Sequence, residues 1–183
     1  MKKLNYKLIN SDIVHNGVVF DLQVDHIEYE SGNTAIREVA LHNGGAVVVP
    51  VVKDGKIILV NQFRYPFKKF LLELPAGKLD PDEDPLVCAS RELTEETGYS
   101  TENFIKLGVI CTTPGFCTEI LHIYLATDLR HGDHSREEGE FGMEVHEYDL
   151  NQIGEMMLKG EIIDSKTISG LHLYKEYLKS NGR

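Results

Sequence analysis

The segment Gly77–Tyr99, GKLDPDEDPLVCASRELTEETGY, constrains this chain more than any other stretch. On a helix turning about 100° per residue, Glu92, Glu95 and Glu96 fall within one arc of about 100°, because positions i, i+3 and i+4 share a face. Three carboxylates on one face repel each other. A divalent cation relieves that repulsion, and hard cations such as Mg²⁺ prefer oxygen ligands from one or two carboxylates plus substrate phosphates. Most glutamate runs on helices are solvated faces, so the triplet alone leaves both readings open.

The surrounding residues predict a helix from about Glu83 to Thr97. Pro75-Ala76-Gly77 breaks regular structure before it, Asp82 to Asp84 place acidic residues where the helix dipole favours them, and Gly98 is positioned as a C-terminal cap. Leu86, Ala89 and Leu93 form a neighbouring apolar face, expected to pack on a sheet. Core packing would then fix the direction in which the glutamates point.

Elsewhere the pattern reads mostly as strands. Phe20 to Tyr29 and Ala35 to His42, joined by Glu30-Ser31-Gly32-Asn33, predict an N-terminal antiparallel hairpin. The apolar runs Ala46 to Val52 and Ile57 to Val60 flank Lys53-Asp54-Gly55-Lys56 and suggest a buried strand pair with a tight turn. Phe70 to Leu74, Phe104 to Cys111, Ile120 to Thr127 and Met143 to Tyr148 complete the strands. Asn151 to Leu158 and Ser165 to Leu178 are expected helices. Arg130 to Gly142 is polar and glycine-bearing, as in a mobile surface loop. Strands on both sides of the acidic helix, with helices at the end, imply an α/β fold with a mixed sheet between helical layers. Residues 1–43 form an appendage and residues 44–183 the main domain.

Composition narrows the function. At 183 residues and 42% hydrophobic, the chain can bury one substantial core. A net charge of −10 argues against nucleic acid as a partner, since phosphate-backbone binders carry basic patches. An acidic protein also needs cations to hold a phosphorylated substrate. Cys88, Cys111 and Cys117 have neither CxxC spacing nor a secretory leader beside them, which points to a reducing, cytoplasmic setting. No run of about 18 apolar residues predicts a membrane span. His131, His134 and His146 are too scattered for a zinc site, and both His122 and Cys88 read as packing residues.

Gly77, five residues, Glu83, seven residues, then Arg91-Glu92-Leu93-x-Glu95-Glu96-x-Gly98-Tyr99 resembles the signature box of the Nudix hydrolases. Tyr99 stands where that pattern has a bulky aliphatic. The resemblance implies an α/β/α sandwich and attack of a metal-activated water on a phosphorus of a nucleoside diphosphate joined to another group. It further implies Glu92, Glu95, Glu96 and the carbonyl of Ala76 as metal ligands, with Mg²⁺, or Mn²⁺ in its place, as the cofactor. Arg91 and Glu83 read as an internal pair bracing loop and helix.

Residues outside the box are similar to the ADP-ribose pyrophosphatase branch. Pro114 lies sixteen positions after Gly98 within Thr113-Pro114-Gly115-Phe116-Cys117-Thr118-Glu119, and Asn61-Gln62-Phe63-Arg64 and Glu73-Leu74-Pro75-Ala76-Gly77 resemble that branch's lead into the box. By this resemblance Arg64 contacts the diphosphate, Arg37 the nucleoside end, and Phe116 and Glu119 line the substrate. Valines at Val18-Val19 stand where an aromatic often stacks on the base. Glu138-Gly139-Glu140 matches the branch's Glu-x-Glu pair, one glutamate serving as general base and one lying near the metals, with Glu137 adjacent. The branch is homodimeric, with the hairpin exchanged between subunits. The implied reaction is hydrolysis of ADP-ribose or a related nucleoside diphosphate sugar to a nucleoside monophosphate and a sugar phosphate. A GDP-mannose-type pyrophosphatase and a non-catalytic nucleotide-sugar sensor are the alternatives.

Overall fold

A computed structural model describes residues 5–132 and 142–182. The chain divides into two compact units, Met1–Gly44 with Cys111–Ile120, and Gly45–Ile110 with Leu121–Arg183.

The first unit is built on a three-stranded antiparallel sheet, β1 (Tyr6–His15), β2 (Asp21–Tyr29) and β3 (Thr34–Leu41), in that order. The expected hairpin is β2–β3, with Asp25 opposite Arg37 and Gly32 at φ 83° in the turn. β1 was not legible in the sequence. All ten of its residues are exposed, so no buried face imposes the alternation by which a strand is recognised. Gly115–Cys117 sits on a turn, with the Phe116 and Cys117 N–H groups donating to the Thr113 carbonyl.

Among the described residues, the second unit holds two larger sheets, a short strand pair and three helices. One sheet has the order β7 (Ala76–Lys78), β4 (Gly45–Pro50), β10 (Ile120–Thr127), β9 (Asn103–Cys111). It is mixed, because β4 runs parallel to β10 and antiparallel to β7. The other is antiparallel, with β5 (Ile57–Arg64) between β6 (Lys69–Glu73) and β12 (Glu144–Tyr148). A two-residue pair, β8 (Tyr99–Ser100) with β11 (Arg130–His131), follows the first helix. The helices are α1 (Pro85–Thr97), α2 (Leu150–Leu158) and α3 (Ser165–Ser180).

The two apolar runs around Lys53–Lys56 do not form a hairpin. They share one bridge, Val51 to Ile57, and then diverge into different sheets. Each run is buried through four or more consecutive residues, which suits the centre of a sheet covered on both faces.

β4 shows how the layers form. Val47 and Val49 face one cluster, with Leu74, Ile123, Leu125, Ile153 and Leu171, while Ala46 and Val48 face another, with Cys88, Ala89, Leu93 and Tyr124. The sheet is thus packed between α1 on one side and α2 and α3 on the other. Asp84 caps α1 by accepting from the Leu86 N–H, Pro85 opens it, and Gly98 ends it at φ 75° with its N–H on the Thr94 carbonyl. Leu86, expected on the packing face, is exposed, because it lies in the first turn before the helix reaches the sheet. Cys88 fills the core position instead.

Candidate active site

Because Ala89 and Leu93 anchor α1 to β4 and β10, the next stripe of the helix turns toward β7. Glu92 and Glu96 lie on that stripe and are only 7% and 2% exposed. Glu95 is half-buried beside them. Carboxylates at such depth must be hydrogen-bonded or paired. The Ala76 N–H donates to Glu96 Oε2 at 3.1 Å. Gly77 leaves no space for a side chain, since a Cβ there would lie 1.7 Å from Glu92 Oε1. The glycine of the motif is therefore a steric requirement of Glu92.

Arg91 is the hub of the site. Its Nε and Nη2 donate to the two oxygens of Glu83 at 3.2 and 3.1 Å. Its Nη1 donates to Glu92 Oε1 at 2.6 Å and to Glu95 Oε2 at 3.1 Å. Glu83 in turn accepts from the Asp80 N–H at 3.0 Å, which fastens the loop before the helix. The Arg91 hydrogen bonds hold the Glu83 carboxyl below the usual carboxylate range, and Glu83 raises Arg91. The expected Arg91–Glu83 brace is present.

Three carboxylates on one guanidinium, with Glu96 on the same helix face, leave excess negative charge. Glu92, Glu95 and Glu96 supply only hard oxygen donors, two of them all but buried and one approached at the Cα of a glycine, and this donor set fits a divalent cation of the Mg²⁺ type. Among the described residues, no three His, Cys, Asp or Glu side chains already converge as a metal site. Arg91 draws Glu92 and Glu95 to itself instead. The Cys88 thiol, on the same helix, is pushed up to about 12, first by burial and then by Glu83 and Glu92. It stays protonated and serves packing.

Arg64, at the end of β5, is half-exposed and bonded bidentately to Glu73, with Nε to Oε1 at 2.9 Å and Nη2 to Oε2 at 2.6 Å. Glu73 is 1% exposed and also accepts from Lys166, on α3. Sequence reasoning missed Lys166 and its neighbours Asp164 and Thr167. The residues it ties together are 93 positions apart, and a lone lysine at a helix start carries no signal.

The other expected substrate residues, Arg37, Phe116 and Glu119, belong to the first unit. Arg37 Nη1 donates to the Ile36 carbonyl at 2.8 Å and its Nη2 to the Tyr29 hydroxyl. Phe116 is exposed. Glu119 accepts from Thr112 Oγ1 at 2.6 Å and lies 3.6 Å from His42 Nδ1. Glu137, Glu138 and Glu140, with His134, lie outside the described residues. Tyr99, the departure from the motif, donates its hydroxyl to Glu147 at 3.2 Å and stacks edge-on with His131.

Comparison with known proteins fits this geometry. The model of the family described as NUDIX domain matches residues 41–169. An ADP-ribose pyrophosphatase of Bacillus subtilis is 40% identical over 169 residues, covering 91% of each chain. A methanol dehydrogenase activator of Bacillus methanolicus is 38% identical over the same length, again 91% of each. A crystal structure titled ADP compounds hydrolase superposes with a TM-score of 0.88 over 100% of both chains at 22% identity, a likeness of fold. A family match across this much of the chain, with its motif residues gathered between α1 and β7, has one reading: the chain belongs to the NUDIX domain family.

Proposed function

We propose that this chain hydrolyses the diphosphate bond of ADP-ribose and related nucleoside diphosphate sugars, giving a nucleoside monophosphate and a sugar phosphate. The observation that carries the reading is the pair of all-but-buried carboxylates, Glu92 and Glu96, beside Glu95 on one helix face with Arg91 as the hydrogen-bonding cation. The Bacillus subtilis relative, by its name an ADP-ribose pyrophosphatase, supports the choice of substrate.

Glu92, Glu95, Glu96 and the carbonyl of Ala76 would hold the cation, with Mg²⁺ favoured by the all-oxygen donor set and Mn²⁺ as substitute. When bound, it supplies shielding of diphosphate charge and a lowered pKa for water. The protein's own part is positional. Arg91 and Glu83 fix the loop against the helix, Ala76 orients Glu96, and the bare Cα of Gly77 lets Glu92 approach. Arg64 offers the N–H groups not used on Glu73 to the diphosphate. Arg37, Phe116 and Glu119 are assigned to the substrate's remaining contacts, and Glu138 or Glu140 to the general base, on the sequence resemblance.

The test is a panel of ADP-ribose, GDP-mannose and other diphosphate compounds, assayed with and without Mg²⁺ in heavy-oxygen water. Release of AMP and ribose 5-phosphate, with the label in one product, supports the proposal and fixes the attacked phosphorus. Preference for GDP-mannose selects the sugar-nucleotide alternative. Tight binding of the panel without turnover selects the sensor.

Residues 1–43 are proposed to serve dimerisation and residues 44–183 the chemistry. The support is β1, whose Tyr6, Leu8, Ile9, Ile13 and Val14 are all exposed on a sheet too thin to bury its own faces. A second copy, with the hairpin exchanged, would cover them. A monomer by light scattering overturns this. A cytoplasmic setting is proposed from the three free cysteines. Among the described residues, no helix is long and apolar enough to cross a membrane.

A further inference from the structure

We infer that Lys166 is a positioning residue for diphosphate recognition: by sharing the Glu73 carboxylate with Arg64, it keeps the Arg64 guanidinium oriented yet electrostatically available to an anion. The inference rests on the proposed contact between Arg64 and the diphosphate.

Glu73 is shared by the two cations. Its carboxylate is 1% exposed, and a buried carboxylate needs compensation from more than one direction. Arg64 takes one side through Nε and Nη2, and that grip sets the plane of the guanidinium. Without a second cation, Glu73 and neighbouring Asp164 would set two carboxylates against the single charge of Arg64, and an approaching anion would meet net negative charge. Lys166 supplies the second cation. Its ammonium bonds Glu73 Oε2 and lies 3.0 Å from Asp164 Oδ2, with its side chain only 11% exposed.

Lys166 is itself held from two sides. Asp164 Oδ2 also accepts from the N–H of Thr167 at 3.0 Å and its hydroxyl at 2.6 Å, which caps α3. The Thr167 hydroxyl accepts from the Leu74 N–H at 2.8 Å, tying the start of α3 to the residue after Glu73. Glu73, Asp164, Arg64 and Lys166 therefore form a neutral quartet. Its exposed member is Arg64, whose Nη1 makes no bond to Glu73 and whose side chain is 36% exposed. Removing Lys166 leaves the quartet with one net negative charge next to the place where a diphosphate would bind. The loss falls on binding, because Lys166 would touch neither substrate nor reacting atoms.

The experiment is steady-state kinetics on ADP-ribose at saturating Mg²⁺ for the full chain and its Lys166→Met, Lys166→Arg, Arg64→Gln and Lys166→Met/Arg64→Gln variants. Lys166→Met should raise KM about five- to tenfold with kcat within about twofold, and Lys166→Arg should restore KM. The double variant should be no worse than Arg64→Gln, because Lys166 acts through Arg64. Should Lys166→Met be insoluble, Lys166→Gln is read in its place. An unchanged KM with only a lowered Tm, a Lys166→Arg that fails to restore KM, or an additive double variant overturns the inference. If Arg64→Gln itself leaves KM unchanged, the Arg64 contact is the part that fails. If Arg64→Gln raises KM and Lys166→Met does not, Lys166 alone is refuted.

Discussion

Gly77→Ala isolates the geometry of one carboxylate. The backbone at Gly77 does not lie in the left-handed region, so alanine meets no torsional penalty there. The whole cost is a collision: the new Cβ would fall 1.7 Å from Glu92 Oε1 and 1.9 Å from its Cδ, where contacts below about 3 Å are not tolerated. The Glu92 carboxylate must retreat by at least about 1 Å. As the far end of a flexible side chain it can do so cheaply, and the expected loss of stability is about 1–2 kcal/mol. For a chain of this size that lowers Tm by roughly 2–8 °C. The functional cost is larger, since metal–ligand distances tolerate only about 0.2 Å and a 1 Å misplacement can cost about 10²-fold. Initial rates on ADP-ribose across a Mg²⁺ titration, with thermal denaturation on the same samples, separate the two effects. We expect kcat to fall about a hundredfold, a higher Mg²⁺ requirement, and a folded protein. An alanine variant with undiminished kcat and unchanged Mg²⁺ dependence would refute the role given to Glu92.

Three further outcomes are expected. Arg91 lowers the Glu83 carboxyl, so the stability Glu83 contributes is present above its ordinary value of 4.5 and is lost as pH falls through the lower folded value; Glu83→Gln should flatten the acid limb of a Tm-versus-pH curve, and identical curves for both proteins would show that the pair contributes nothing. Gly98 caps α1 at φ 75°, and Gly98→Ala should cost about 1–2 kcal/mol, read as a lower urea midpoint at unchanged m. Glu138→Gln and Glu140→Gln, made singly, should lower turnover at least about tenfold in one of the two, and full activity in both removes the base from this segment.

The sequence made some elements legible and hid others for physical reasons. α1 was readable because its acidic start, apolar stripe and terminal glycine all act locally. The pairing of β4 was not, since two buried apolar runs beside a tight turn look the same whether they pair with each other or diverge into two sheets. β1 escaped notice because it buries nothing. At the site, the shared face of Glu92, Glu95 and Glu96 follows from helical spacing, and the Arg91–Glu83 brace from the resemblance of the motif, both within a short segment. The Glu73–Lys166 link does not, because only the finished fold brings the end of β6 to the start of α3. Leu86 departed from its expected packing role for a similar reason: which turn of a helix first meets a sheet is a tertiary fact.

The most direct measurement of the central claim is product release from ADP-ribose by the wild-type chain and its Glu96→Gln variant, in Mg²⁺ and again after chelation. AMP and ribose 5-phosphate are expected from wild type in Mg²⁺, with no turnover after chelation and a loss of at least about a hundredfold in Glu96→Gln. Equal turnover with and without divalent cation, or by wild type and Glu96→Gln alike, would contradict it.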